Sequence, residues 1–173
     1  PGVAIVDTDD VPGVGPGLGL PPPPPGSLDP DHLSEPDPDG PTVLTIGALP
    51  GRPDPTAGVD VVDAAAEQHH LVVVDAPLPF ASRVGWCADE VVLVLDATVQ
   101  GLLRGIALVE AWPWPRPHLV LNRVVDADVV PAARRALGLE PSALVPLTPT
   151  PLDAARDACA PLGASLRPDG GGV

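Results

Sequence analysis

The chain has 173 residues, enough for one ordinary domain with a sizeable core and too few for two complete ones. Its 9 basic residues, all arginine, stand against 23 acidic ones. The resulting net charge of -14 repels phosphate backbones and anionic lipid heads, which argues against nucleic-acid or membrane binding by charge and leaves protein partners. There is no signal-peptide pattern and no apolar run near the roughly eighteen residues that a membrane span needs. With only Cys87 and Cys159 present, a reducing cytoplasm and free, buried thiols are the expectation. Pro1 stands almost directly before an apolar strand pattern, so we expect the natural start to lie upstream.

In chain order, residues 3–6 form the first of six short apolar runs, followed by 43–46, 71–74, 91–95, 119–121 and 143–145. Continuous Val/Leu runs of this length predict parallel strands buried by helices on both faces. Between the first two runs, residues 11–41 are Pro, Gly and Asp with little else, including five prolines at 21–25. Neither ladder nor helix persists in such a segment, so it reads as an extended loop. A helix is expected from 56 to 68, its stripe carried by Val59, Val62 and Ala66. A second follows Thr98 through Val99, Leu102, Leu103, Ile106 and Val109, with Gly101 and Gly105 thinning one face. A third starts at Asp128 and ends at Leu137 before Gly138. The last has Thr150 as cap and Pro151 at its first position, a stripe of Leu152, Ala155, Cys159 and Leu162, and a stop at Pro161 and Gly163. Strand and helix alternate, which predicts one α/β domain over residues 1–173 with a mostly parallel sheet.

Three strand ends carry chemistry. Asp7, Asp9 and Asp10 leave the first strand at its carboxyl end, the edge where open α/β sheets bind ligands. Carboxylates there could hold Mg²⁺ through its waters or orient a nucleophilic water. Asp75, before Ala76 and Pro77, ends a second buried strand in the form of a Walker B carboxylate reaching a metal shell. Asn122 and Arg123 end another, and an Asn carboxamide both donates to and accepts from a purine edge. Each has a plain alternative: an acidic strand exit for the aspartates, a turn-forming residue for Asn122. His69 and His70 point to different helix faces and make a poor metal pair. Arg134 and Arg135 read as a solvated helix face.

In this order and spacing the segments resemble the MinD/ParA-type ATPases, and more particularly the CpaE-like proteins of pilus and secretion gene neighbourhoods. The resemblance implies a P-loop NTPase-like, three-layer α/β fold binding ATP and Mg²⁺. It implies that Asp7-Thr8-Asp9 is the Asp-x-Asp pattern beside metal and attacking water, and that Asp75-Ala76-Pro77 is the second switch. Asp9 and Asp75 would serve the metal. Asn122, with Arg123, would be the adenine-contacting residue, and Pro146 would open the loop beside the base. Ala88-Asp89 and the strand after them resemble the segment preceding the family's long helix. Family members work as ATP-bridged dimers, so a nucleotide-bridged homodimer is an expected partner arrangement.

One element of the family is missing. No Gly-Lys-Gly-Gly-x-Gly-Lys-Thr type loop precedes Val3, and no lysine exists anywhere in the chain. The run from Gly13 to Gly19 is no substitute, since it follows the acidic exit, contains Pro16 and leads into prolines. The chain is therefore expected to be catalytically incomplete, with ATP and Mg²⁺ implied by the resemblance alone. In the family the phosphate-loop strand lies inside the sheet beside the Walker B strand, so its absence implies instability, a closed gap or pairing with another chain. Two other readings stay open. One is a receiver-like signalling domain with Asp9 and Asp10 as the acidic pair, Asp75 as phosphoacceptor and Thr98 as switch hydroxyl. The other is a protein-binding scaffold recruiting basic partners.

Overall fold

The computed structural model describes residues 3–7, 42–45, 55–76, 85, 88–111 and 117–166. The expected loop 11–41, Asp9, Asp10, Pro77, Cys87 and both Trp112 and Trp114 lie outside the described residues. All six apolar runs are strands: β1 Val3–Asp7, β2 Thr42–Thr45, β3 Leu71–Asp75, β4 Val92–Asp96, β5 His118–Val124 and β6 Pro141–Pro146. Between and after them lie α1 Pro55–Gln68, α2 Val99–Ala111, α3 Val129–Leu137 and α4 Pro151–Ser165. The chain divides into two compact units, Pro1–Cys87 and Ala88–Val173, and every described strand pair is parallel. None of the described helices is long and apolar enough to cross a membrane.

In the first unit the sheet order is β2-β1-β3. Ala4 and Val6 are fully buried on one face of β1, packed with Val62 and Ala65 of α1 and with Val72 and Val74 of β3. A 3.6-residue period allows either Ala65 or Ala66 after Val62, and packing takes Ala65: Ala66 is exposed, and the expected stripe is corrected by one position. Among the described strands β3 lies at one end of this order. Its alternate side chains Leu71 and Val73 remain 42% and 46% exposed, so the expected full burial of this strand is not met.

In the second unit the order is β4-β5-β6. β5 is central and explains why helices occupy both faces. Leu119 and Leu121 point to one side and pack with Leu95, Ala133, Leu137 and Leu139, under α2 and α3. Val120 points to the other, packing with Ala143, Val145 and Leu162 of α4. Each fully buried leucine contributes about 1.5–3 kcal/mol relative to exposure. Not every apolar position of α2 faces this core: Leu102, Ile106 and Val109 pack against it, while Val99 and Leu103 are 78% and 55% exposed.

Helix ends depart from the expected caps. Thr150 makes no side-chain cap bond, nor does Asp128, whose φ of -63° and ψ of -19° are already helical. The Asp128 N–H instead donates to Oδ1 of Asp126. Gly138, with φ 64°, ends α3 as expected, and its N–H donates to the Arg134 carbonyl. α4 does not stop at Pro161 but runs to Ser165. Leu162, 7% exposed, anchors that last turn in the core, and its carbonyl accepts bonds from the Ser165 hydroxyl and the Leu166 N–H.

Candidate functional site

The parallel ladders place strand-end residues at matched positions. In the first unit Asp7 is the register partner of both Thr45 and Asp75, so two expected site residues share the carboxyl end of adjacent strands. Asp75 is exposed there. In the second unit Asp96 and Asn122 are register partners at the carboxyl ends of β4 and β5, and Pro146, exposed, ends β6 opposite Val124. Each unit thus collects its candidate residues at the edge where parallel α/β sheets bind ligands.

The second-unit edge is defined by hydrogen bonds. The Ala97 N–H donates to the Asn122 carbonyl at 2.8 Å and the Leu147 N–H to the Val124 carbonyl at 3.0 Å, tying all three strand exits together. The Arg123 N–H donates to Oδ1 of Asn122 at 3.0 Å. Arg123 has φ 60°, the one positive value among the described non-glycine residues. A left-handed backbone costs an L residue about 1–2 kcal/mol, so surrounding contacts must hold it. The Arg123 guanidinium lies 3.7 Å from the Asp96 carboxylate, with both side chains about half exposed; such a pair contributes at most ~1 kcal/mol. Asn122 is half-buried and its amide nitrogen makes no hydrogen bond among the described residues.

α2 begins directly above this edge. The Thr98 hydroxyl accepts the Gly101 N–H at 3.0 Å, a cap bond that occupies the group expected as the switch hydroxyl of a receiver-like arrangement. Asp96 escaped sequence reasoning although its signal is the same as that of Asp75, a lone carboxylate closing a run of Val and Leu. Arg134 and Arg135 are exposed as expected, Arg134 pairing with Glu140.

An acceptor and donor pair at Asn122 suits a purine edge. The phosphate end is different. The sequence holds no lysine, and among the described residues no group of three or more His, Cys, Asp or Glu is placed to hold an ion.

This is an α/β fold of the P-loop NTPase-like, ParA/MinD type. Among solved structures, the ParA family ATPase from Chlorobium tepidum TLS superposes with a TM-score of 0.68 at 16% identity, covering 96% of this chain and 81% of that one. The MinD cell division protein of Aquifex aeolicus gives 0.60 at 20% identity, covering 90% and 73%. The MinC:MinD cell division protein complex from the same organism gives 0.55 at 17% identity with the same coverage. No family model and no curated protein matches the chain.

Proposed function

We propose that this chain is a MinD/ParA-like, nucleotide-dependent localisation or assembly factor of the CpaE-like, pilus and secretion branch, acting through protein partners in the cytoplasm. Residues 1–173 serve as one nucleotide-binding domain in which Asn122 meets adenine, with Arg123 and Pro146 beside it. In the first unit Asp7, Asp9 and Asp75 form an acidic strand edge, with Asp9 and Asp75 serving Mg²⁺ where a phosphate-binding loop is supplied. The observation that supports this best is the placement of Asn122 at the carboxyl end of a central parallel strand in a ParA/MinD-type fold.

Phosphoryl transfer rests on positioning and on charge stabilisation, contributed in P-loop enzymes by an amide nest and a lysine. This sequence holds no lysine, and its -14 net charge opposes a polyphosphate. The chain therefore binds adenine nucleotides weakly and does not turn them over. The test is calorimetric titration with Mg-ATP and phosphate release measured beside Asp75→Asn and Asn122→Ala. Weak binding lost in Asn122→Ala, without turnover, is expected. Turnover abolished by Asp75→Asn would overturn the catalytic part, and absence of any nucleotide binding would overturn the whole reading.

A further inference from the structure

The carboxyl end of the second sheet leaves three large apolar side chains in water: Val125, Leu147 and Leu152 are 81%, 57% and 75% exposed. Register places the first two together. Between the pairs Leu121 with Leu144 and Val124 with Pro146, β5 carries one residue more than β6, and this bulge at Asn122 and Arg123 sets where the two strands end. The Leu147 N–H donates to the Val124 carbonyl, so Val125 and Leu147 leave adjacent strands as neighbours. Leu152 comes back to the same end, because α4 begins at Pro151, only four residues after β6 stops, and packs along β6 through Leu162. The connection is stiff. Pro149 and Pro151 fix their own φ, and the Thr150 N–H donates to Oγ1 of Thr148 at 3.4 Å. A single exposed leucine is ordinary, whereas three large apolar residues gathered on one rigid rim mark a contact surface that loses little entropy when covered.

Carboxylates border the rim. Asp126 and Asp128 follow Val125, and Asp153 follows Leu152, all three exposed. Asp153 has Arg156 at 3.6 Å, but among the described residues no ion pair neutralises Asp126 or Asp128. Oδ1 of Asp126 accepts the Asp128 N–H, which holds that carboxylate in place beside the apolar group. We propose that Val125, Leu147 and Leu152 form a docking surface for a segment of a partner protein that presents apolar residues beside lysines or arginines. Apolar contact supplies the affinity, and Asp126 with Asp128 selects the sign of the partner. A second copy of this chain is a poor occupant, since it brings the same carboxylates and a further net charge of -14 to the rim. The inference rests on the reading that the chain acts through protein partners and not on nucleotide binding, which the Mg-ATP titration tests separately.

The experiment titrates the whole chain into three labelled amphipathic peptides, followed by fluorescence anisotropy: one of leucine and lysine, one with glutamate in place of lysine, and one with serine in place of leucine. The leucine and lysine peptide should bind at least about tenfold more tightly than either of the others. Leu147→Ser with Leu152→Ser should weaken that binding by about tenfold or more. Asp126→Asn with Asp128→Asn should weaken it by about threefold to tenfold, and asparagine keeps the oxygen that accepts the Asp128 N–H. The control removes the same charge from the amino end of the same sheet: Asp89 precedes β4, and Glu110 lies in the last turn of α2, which runs back from the carboxyl end. Asp89→Asn with Glu110→Gln should change binding by less than about twofold. Thermal unfolding checks that each variant is folded, and Val125→Ser replaces the leucine pair if that one is not. Equal weakening by the rim and control carboxylates assigns binding to net charge and overturns the inference, as does equal affinity for the leucine and serine peptides, or binding of none of the three. Sedimentation of the chain alone tests the other occupant: self-association lost in Leu147→Ser with Leu152→Ser would give the rim to a second copy and overturn the basic partner.

Discussion

Gly101 runs so close to Asp96 that a Cβ built on the glycine would stand 2.1 Å from the Asp96 carbonyl oxygen. The obstructing atom is backbone at the end of β4, so the first turn of α2 and the strand exit fit together only without a side chain. Gly101→Ala should destabilise the chain by about 1–3 kcal/mol, despite alanine's better helix propensity. Gly105 is the control. A Cβ there meets Leu95 Cδ1 at 2.3 Å and Leu137 Cδ2 at 3.1 Å, the ends of flexible side chains, so Gly105→Ala should cost less. Denaturant unfolding ranks the two, and the reverse order would refute the packing account.

Thr98 caps α2 through its hydroxyl, which accepts the Gly101 N–H. Thr98→Ala should lose about 1 kcal/mol, and Thr98→Ser should recover most of it. Equal midpoints for all three proteins would mean that the bond contributes nothing.

Leu121 is fully buried beneath α2 and α3, whereas Leu103 is 55% exposed on α2 itself. Leu121→Ala should cost about 2–5 kcal/mol and Leu103→Ala less than about 0.5 kcal/mol. Similar losses from both would show that the second leucine is covered in solution.

Among the described strands β4 lies at one end of the order β4-β5-β6, uncharged until Asp96, with Val92 and Val94 exposed by 41% and 57%. An apolar outer strand is a template for edge pairing, and an edge lysine blocks it. Val94→Lys should lower concentration-dependent association in sedimentation experiments while leaving the unfolding midpoint within about 0.5 kcal/mol of wild type. Unchanged association would assign self-pairing to another surface.

The strands at residues 3–7 and 71–75 and those of the second unit were legible because short Val/Leu runs between Pro, Gly and charged residues are local signals. The same locality placed Asp75 and Asn122 at strand ends and Gly138 at a helix stop. Which strand lies beside which was not legible, since the orders β2-β1-β3 and β4-β5-β6 come from non-local pairing. The bulge at Arg123 follows from that pairing: a residue acquires a left-handed backbone when a neighbouring strand forces the register, and nothing in Asn-Arg announces it. Helix faces divided the same way. The expected stripe took Ala66 to the core, and packing with Val6 of β1 and Val62 of the same helix decided for Ala65. Pro161 signals a stop by losing an N–H, yet α4 continues because Leu162 has a buried place beside Val120 and Val145. Local chemistry determines which element a segment favours, and only the partner surface decides which of its residues are removed from water.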